Sequence, residues 1–258
     1  MPTRTFDERR AEIAARWDEV KPAPFRYTRE VLPNLFQVRT RGSRCYLVCD
    51  GDELTLIDTG NPGSGRVILQ AVKEIGRSAD QITRVLITHS HIDHVGGLPE
   101  LQKHIPARTM VHLAEAPLVT SDEPLPNPFT HPLLAKLLNG YLLRQDPGAA
   151  RVDFELGDGD ELPVYGGMRI VHAPGHTPGS ISIYFPNRGV LIVGDAMQYK
   201  FGRLMLPSRL FTQDTAAAEE SVRKLSSLDF DTLCFSHFRP ILEGADARVR
   251  EFAAKLAV

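Results

Sequence analysis

The sequence predicts an α/β (α+β) protein in which two β-sheets are stacked between outer helices. Its 258 residues, 42% of them hydrophobic, are enough for one large domain with a buried core. The apolar runs have the length of strands, and residues 82–88 form a continuous run expected to be buried on both faces. Strands and helices alternate in two successive series along the chain, which indicates two similar halves.

The first half begins with a charged amphipathic segment that predicts a helix over residues 5–20, within a helical extension covering residues 1–30. Alternating and apolar runs then predict strands at 35–40, 45–49, 54–57, 82–88 and 109–112, with helices at 65–76 and 95–104.

Residues 117–150 differ in composition, because they contain six prolines around one helix-like stretch at 133–143. We expect a helical insertion that covers the active site. Its leucines either line an apolar acyl pocket or pair two subunits in a homodimer. After it, the second half predicts strands at 152–156, 168–172, 181–185, 190–193 and 232–235, and helices at 215–228 and 245–256.

Charge and composition exclude several classes of protein. Thirty basic and 32 acidic residues give a net charge of -2, which removes the electrostatic basis for binding nucleic acid. No apolar run approaches the ~18 residues of a membrane span, and the N-terminus lacks the apolar core of a secretory signal. The three cysteines form no C-x-x-C pair. We therefore predict a cytoplasmic protein that acts on a small molecule.

The segment His89-Ser90-His91-Ile92-Asp93-His94 contains four possible metal ligands directly after a predicted buried strand. In an extended chain His89 and His91 leave the same face, and Asp93 and His94 follow where the chain turns into the next helix. Imidazoles together with a carboxylate suit zinc or a similar borderline cation.

Three more candidate ligands also follow predicted strands. His176 lies in a Pro-Gly-His-Thr-Pro-Gly turn, Asp195 lies in a Gly-Asp pair, and His237 lies in Phe-Ser-His-Phe. Loops at strand ends, held by a rigid scaffold, are where sites are built. We therefore expect these residues and the His89–His94 segment to meet at one edge of the sheets.

These motifs resemble those of the metallo-β-lactamase superfamily of metal-dependent hydrolases. Asp58, in Leu-Ile-Asp-Thr-Gly, matches an early loop of the same family, and the resemblance covers about residues 31–243. It implies a four-layer αββα sandwich, which agrees with the two halves inferred above.

The resemblance also implies a binuclear centre with two divalent ions, zinc first, with manganese or iron as alternatives. It assigns His89, His91 and His176 to one ion, Asp93, His94 and His237 to the second, and Asp195 as the bridge. A hydroxide held between the ions would attack an ester, lactone or thioester, and Asp93 would orient it and shuttle its proton. Asp58 is expected to accept the N–H of a ligand histidine, or else only to cap a turn.

Within the family, Asp195 disfavours the lactam-cleaving enzymes, which place Cys or Ser there, and His91 disfavours the flavodiiron relatives, which place Glu there. Only 21 residues follow His237, so we do not expect the C-terminal helical domain of glyoxalase II. The lactonase-like small hydrolases remain. They carry a substrate-binding Tyr soon after the bridging Asp, and Tyr199, at a different spacing, is the candidate catalytic residue here, with Lys200 and Arg203 as possible substrate contacts.

Two other functions stay open at this point. Relatives that act as persulfide dioxygenases use the same motif but bind one iron through two His and one Asp. A non-catalytic binding module on the same fold would have lost ligands, and this sequence keeps all seven.

Overall fold

The computed structural model describes residues 4–17 and 27–256. Their strands form three sheets. The larger sheet contains seven strands in chain order: β1 (Thr28–Leu32), β2 (Leu35–Arg39), β3 (Arg44–Asp50), β4 (Glu53–Ile57), β5 (Ile82–Ile87), β6 (Arg108–His112) and β7 (Phe154–Leu156). The first four are antiparallel, whereas β4 to β7 run parallel to one another.

The second sheet has five strands and belongs to the second half of the chain: β8 (Glu161–Leu162), β9 (Met168–His172), β10 (Ile181–Phe185), β11 (Val190–Ile192) and, after a separate hairpin of β12 (Gln198–Lys200) and β13 (Arg203–Met205), β14 (Thr232–Cys234). Its order is β14-β11-β10-β9-β8. Because β10 is antiparallel to both β9 and β11, and β14 is parallel to β11, the strands β9, β11 and β14 end at the same edge.

Eight α-helices complete the described part of the chain: α1 (Phe6–Arg16), α2 (Gly65–Glu74), α3 (Ile92–Val95), α4 (Leu98–Leu101), α5 (Ala116–Thr120), α6 (Pro132–Gln145), α7 (Thr215–Ser226) and α8 (Ala245–Lys255). Among the residues described, none of the helices is both long and apolar enough to cross a membrane.

Along the strands of each sheet, side chains alternate between a core shared by the two sheets and a separate core under that sheet's own helices. On β3, Tyr46 and Val48 enter the core shared by both sheets, whereas Cys45, Leu47 and Cys49 pack with α2 and α4. On β11 the alternation repeats, because Val190 and Ile192 face the larger sheet while Leu191 packs with α7 and α8. Both sheets are therefore covered on both faces, which explains their continuous apolar runs. The predicted αββα sandwich is confirmed.

The helix predicted over 95–104 is wrong, because two short helices, α3 and α4, take its place. The 58–62 loop diverts the backbone hydrogen bonds that would continue α3. The N–H of Gly97 donates to Gly60 O at 2.9 Å, and the carbonyl of His94 accepts from Thr59 N at 2.7 Å. A Cβ on Gly97 would lie 2.3 Å from Thr59 O, so only glycine allows this loop to approach.

Other element boundaries also differ from the prediction. The N-terminal helix ends at Arg16, a single turn residue follows, and residues 18–20 of the predicted helix lie outside the described part of the chain. Residues 28–30 of the predicted extension belong to β1 of the larger sheet. The hairpin β12–β13 and the short helix α5 were not predicted.

The insertion contains the predicted helix, slightly extended as α6. None of the residues of α6 is buried, and Leu133, Leu137 and Tyr141 form an exposed row at a spacing of four residues. The preceding segment folds toward the sandwich, since a cleft is lined by residues 124–128 and by His91 and Ile92. Phe129 packs against Phe211 at 5.0 Å, and Thr130 N donates to Leu210 O at 2.9 Å.

Candidate metal centre

The candidate ligands lie at one edge of the sandwich, at the carboxyl ends of parallel strands from both sheets. The segment His89–His94 follows β5, His176 follows β9, Asp195 follows β11 and His237 follows β14. Asp58 follows β4 in the left-handed region, with φ of 60°. Carboxylates are among the side chains that tolerate this conformation. The topology therefore brings together residues that are far apart in sequence.

All seven predicted ligands meet there. Their donor atoms form three overlapping groups within which every atom lies within 4.8 Å of the others: His89, His91 and His176; His89, His94 and Asp195; Asp93, His94 and His237. The first and third groups correspond to the two sets that the resemblance implies. We refer to them as the three-histidine group and the aspartate group.

Asp195 lies between these two groups. One carboxylate oxygen, Oδ2, is 3.5 Å from Nε2 of His176 in the three-histidine group and 3.1 Å from Nε2 of His237 in the aspartate group. The other oxygen is 3.7 Å from Nε2 of His94. Because its oxygens lie close to nitrogens of both groups, Asp195 has the position that a bridging carboxylate requires.

Hydrogen bonds at Nδ1 orient the histidines so that Nε2 faces the centre. Nδ1 of His94 donates to Asp58 Oδ2 at 2.8 Å, and Nδ1 of His237 donates to the carbonyl of Gly42 at 3.1 Å. The hydroxyl of Thr88 donates to Asp58, so it accepts the Nδ1 hydrogen of His89 at 3.1 Å. Fixing one nitrogen in this way leaves the other as the metal ligand.

His176 is oriented in the same manner by a loop that touches the insertion. The Thr212 hydroxyl donates to Ser208 O at 2.9 Å and lies 3.4 Å from Nδ1 of His176. Thr212 belongs to the segment that contacts Phe129 and Thr130, so the insertion is connected to a ligand through one short loop.

Three buried nitrogens have no hydrogen-bond partner among the described residues: Nε2 of His89, His94 and His176. A buried polar atom without a partner costs roughly 1–3 kcal/mol, so several converging on one point need an explanation. Cations bound by neutral imidazoles and carboxylates satisfy all three, and the donor set is the one that borderline divalent metals prefer.

The three-histidine group favours neutral imidazoles. Burial lowers the pKa of His176 to about 3. Burial also lowers the pKa of His91 and, together with the surrounding imidazoles, that of His89. These side chains therefore stand ready as neutral nitrogen donors.

The aspartate group has the opposite bias. Burial by itself would lower the pKa of His94, but the carboxylates of Asp93, Asp58 and Asp195 raise it to about 10. His237 also has a raised pKa, because its hydrogen bond to Asp195 outweighs its burial. Without a bound cation, this side of the centre holds protons.

Asp58 connects the ligand strand to His94. Its carboxylate accepts hydrogen bonds from Thr88 N at 2.7 Å, the Thr88 hydroxyl at 2.8 Å and His94 Nδ1 at 2.8 Å. The expected partner of Asp58, a ligand histidine N–H, is therefore His94.

The structure places Tyr199 differently from the expected substrate contact. Its ring stacks on Phe235 at 5.9 Å, and its hydroxyl accepts a hydrogen bond from Arg248 Nη1 at 3.4 Å. Lys200 lies 5.3 Å from the ring of Phe238, and Arg203 is exposed. The contacts of Tyr199 lead toward α8 rather than into the cluster, so we assign it no part in the chemistry.

Sequence reasoning missed Glu115. This residue follows β6 at the same edge, is fully buried, and accepts hydrogen bonds from the backbone of two ligand loops. Its position after a parallel strand is the one signal in the sequence that pointed to it. A lone glutamate outside any motif gives no indication of its partners.

Comparison with known proteins identifies the family to which the chain belongs. The family model described as the metallo-beta-lactamase superfamily matches residues 38–237. A probable metallo-hydrolase of Bacillus subtilis (strain 168), YflN, is 30% identical over 199 residues, which cover 72% of this chain and 75% of the relative. A hydroxyacylglutathione hydrolase of Cereibacter sphaeroides is 32% identical over 187 residues, which cover 72% of this chain and 57% of that protein. The chain belongs to the metallo-beta-lactamase superfamily.

Solved structures show the same fold. A metallo-beta-lactamase family protein from Thermus thermophilus superimposes with a TM-score of 0.67 at 22% identity, covering 88% of this chain and 80% of that one. The subclass B3 metallo-beta-lactamase BJP-1 of Bradyrhizobium japonicum gives 0.66 at 21% identity, covering 91% and 92% of the two chains. Family membership supports hydrolase chemistry at a divalent-metal site.

Proposed function

We propose that this protein is a binuclear metal-dependent hydrolase that cleaves a small ester, lactone or thioester. His89, His91 and His176 would hold one ion, Asp93, His94 and His237 would hold the other, and Asp195 would be shared between them. The observation that carries the proposal is the set of buried, unpartnered Nε2 atoms of His89, His94 and His176, which face the oxygens of Asp195 from both groups.

The charges of the donor set are compatible with two ions. Five neutral imidazoles and two carboxylates leave two divalent cations with a net charge of about +2, which an anionic nucleophile and transition state would balance. When bound, such cations supply an acidified water nucleophile and polarise the substrate carbonyl.

Asp93 has the geometry for a proton-handling role. Its Oδ2 is 3.4 Å from Nε2 of His237 and 3.7 Å from Nε2 of His94, and its side chain is 27% exposed whereas that of His94 is fully buried. Its backbone carbonyl accepts a hydrogen bond from the Ser43 hydroxyl, which fixes the start of α3. The Asp93 carboxylate therefore faces both the donor cluster and the approach for substrate, where it orients the nucleophile and holds its proton.

The cleft beside His91 supports a substrate with an apolar arm. Prolines and leucines of the insertion, including Pro126, Leu125 and Leu142, form one wall, and His91 and Ile92 form the other. The space between the two walls is narrow, with room for about one water molecule, so a carbonyl presented to the centre would lay its acyl or alcohol portion along the mouth of this cleft.

The named relatives support including thioesters among the substrates to be tested, since one of them is a hydroxyacylglutathione hydrolase. The experiment is elemental analysis of the purified protein, followed by assays on lactones, thioesters and aryl esters. We expect two divalent ions per chain, and hydrolysis of one carbonyl class that is lost on chelation and restored by added zinc or manganese.

A single iron per chain with oxygen consumption in the presence of a persulfide would instead identify a dioxygenase. Cleavage of aryl phosphodiesters alone would contradict the carbonyl-ester proposal. A protein that binds no divalent metal would contradict the proposed centre itself.

A further inference from the structure

We propose that Glu115 is a positioning residue that holds the two loops of the three-histidine group at the spacing needed to bind metal. The inference rests on the proposed metal centre and adds a second support to that of Asp58. Within the described part of the chain, no hydrogen bond joins Glu115 to a ligand nitrogen. Glu115 acts through the backbone of the loops that carry the ligands.

The carboxylate of Glu115 joins the two sheets behind the centre. Its Oε2 accepts the N–H of Ser90, between the ligands His89 and His91, at 2.9 Å. Its Oε1 accepts the N–H of Gly179, three residues after the ligand His176, at 2.7 Å. One side chain from the end of β6 therefore sets the separation between a loop of the larger sheet and a loop of the second sheet.

The peptide that joins Pro178 to Gly179 is held at both ends. Its N–H donates to Glu115, and its carbonyl accepts from Nε2 of His172 at 2.8 Å. The ring of His172 stacks on that of His112, with centroids 4.2 Å apart and planes 11° apart. The turn that presents His176 is thus fixed by groups that lie outside the ligand set.

Gly179 shows how closely Glu115 is packed against this turn. A Cβ on Gly179 would lie 2.5 Å from Cγ and 2.9 Å from Oε1 of Glu115. The backbone of Gly179 does not have a positive φ, so conformation alone does not require glycine there. The position has no room for a side chain, first because the Glu115 side chain fills the space and also because His112 Nδ1 would lie 3.0 Å from the Cβ.

An ionised carboxylate is suited to this task, because each of its oxygens accepts a hydrogen bond and neither donates one. In Glu115→Gln the amide oxygen could still accept one backbone N–H. The amide N–H₂ would face the other backbone N–H and could not accept its hydrogen bond. Because Glu115 is fully buried, water cannot replace the lost hydrogen bond. One of the two ligand loops would then move away.

The test is metal binding to the full-length, metal-depleted protein, followed by titration with cobalt(II), whose visible spectrum reports ligand geometry, and by zinc competition against a chelator. For Glu115→Gln we expect the affinity for the ion of the three-histidine group to fall about 10–100-fold, the usual loss when a residue that orients ligands is replaced. The affinity of the other ion should remain near that of the parent protein.

The control is Glu74→Gln, which removes a carboxylate at the end of α2, away from the ligand loops. A single oxygen of Glu74, Oε2, accepts the backbone N–H groups of Tyr27 at 3.0 Å and Thr28 at 3.1 Å, so the amide oxygen of glutamine can keep both hydrogen bonds. This variant should bind both ions as the parent does, because it removes a carboxylate without disturbing a ligand loop.

Gly179→Ala provides a second route if Glu115→Gln fails to fold. It keeps the carboxylate but forces it out of place, so it should weaken the same ion. Added to Glu115→Ala, which removes the nearer obstruction but leaves His112 Nδ1 at 3.0 Å, Gly179→Ala should cause a much smaller loss than it does in the parent protein.

Wild-type affinity for both ions in Glu115→Gln, or equal weakening of both ions, would overturn the positioning role. So would a Gly179→Ala loss that is undiminished when Glu115→Ala is already present. Absence of metal binding by the parent protein would overturn the proposed centre instead, so the two failures are distinguishable.

Discussion

The three-histidine group and the aspartate group of the candidate centre are supported in different ways. Around the three-histidine group the partners of Nδ1 are hydroxyls, those of Thr88 and Thr212, and burial keeps the imidazoles neutral. Around the aspartate group the Nδ1 partners are the Asp58 carboxylate for His94 and a backbone carbonyl for His237, and three carboxylates favour the protonated form of His94.

This contrast has a consequence for metal binding. Metal ligands must be deprotonated, so a cation entering the aspartate group displaces a proton that a cation entering the three-histidine group does not. The aspartate group must therefore release a proton before it binds a cation, whereas the three-histidine group need not.

The largest effect should come from removing one ligand from each group in turn. His91→Ala removes a donor of the three-histidine group and His237→Ala removes one of the aspartate group. Each should reduce the metal content from two ions to one and lower turnover by more than about 100-fold, beyond the loss typical of supporting residues. Elemental analysis and steady-state kinetics provide the measurements. Unchanged metal stoichiometry in either variant would refute the ligand assignment for that group.

Asp58→Asn should produce the next largest effect and should act mainly on the aspartate group. The amide keeps the shape but can no longer accept hydrogen bonds at both oxygens from Thr88 and His94. We expect the affinity of one ion to fall about 10–100-fold, measured by chelator competition.

A matched control is Asp50→Asn, whose carboxylate accepts Tyr165 N at 2.9 Å and contacts no ligand. Equal metal affinity in the two variants would show that Asp58 does not act through His94.

The pH dependence of the metal-free protein should separate the two groups by sign. The pKa of His176 is lowered in the folded protein from 6.5 to about 3, so the unfolded chain binds more protons in this range. Its contribution to the free energy of unfolding is lost as the pH falls from 6.5 toward 3. His94, raised to about 10, contributes stability below 6.5 that is lost as the pH rises through 10.

The melting temperature of the metal-free protein should therefore be highest near neutral pH. His176→Gln should flatten the acidic side of this profile and His94→Gln the alkaline side. Each effect should be several degrees, at about 2–4 °C per kcal/mol for a protein of this size. Thermal melts in buffers from about pH 4 to about pH 10 measure it. A profile that neither variant alters would show that these histidines do not titrate as inferred.

The clustering of the candidate ligands was predictable because each of them follows a strand within a local pattern. The residues that position these ligands were harder to predict, because their contacts join distant parts of the chain. Glu115 meets Ser90 and Gly179 across 25 and 64 residues, and no short motif records such pairs. The break between α3 and α4 depends in the same way on the 58–62 loop, which replaces the helical hydrogen bonds of Gly97.

The placement of Tyr199 could not be inferred from its distance to Asp195 along the chain. It lies in the hairpin β12–β13, which turns its ring onto Phe235. Spacing alone does not determine which face of an unrecognised strand carries a side chain.

The smallest effect should concern the insertion, where two faces of α6 make different predictions. Leu142 lines the cleft beside His91, whereas Leu137 is 69% exposed on the same helix. If the cleft takes the apolar arm of the substrate, lengthening an acyl chain should lower KM up to about fourfold per methylene, the equivalent of ~0.8 kcal/mol. Leu142→Asp should abolish this dependence and leave the smallest substrate unaffected, while Leu137→Asp should change neither.

If the insertion instead pairs two subunits, Leu137→Asp should shift the sedimentation of the protein, and the length of the acyl chain should have no effect on KM. Kinetics over an acyl series together with analytical ultracentrifugation therefore distinguishes a wall of the active site from a contact between copies, because each alternative assigns the effect to a different leucine.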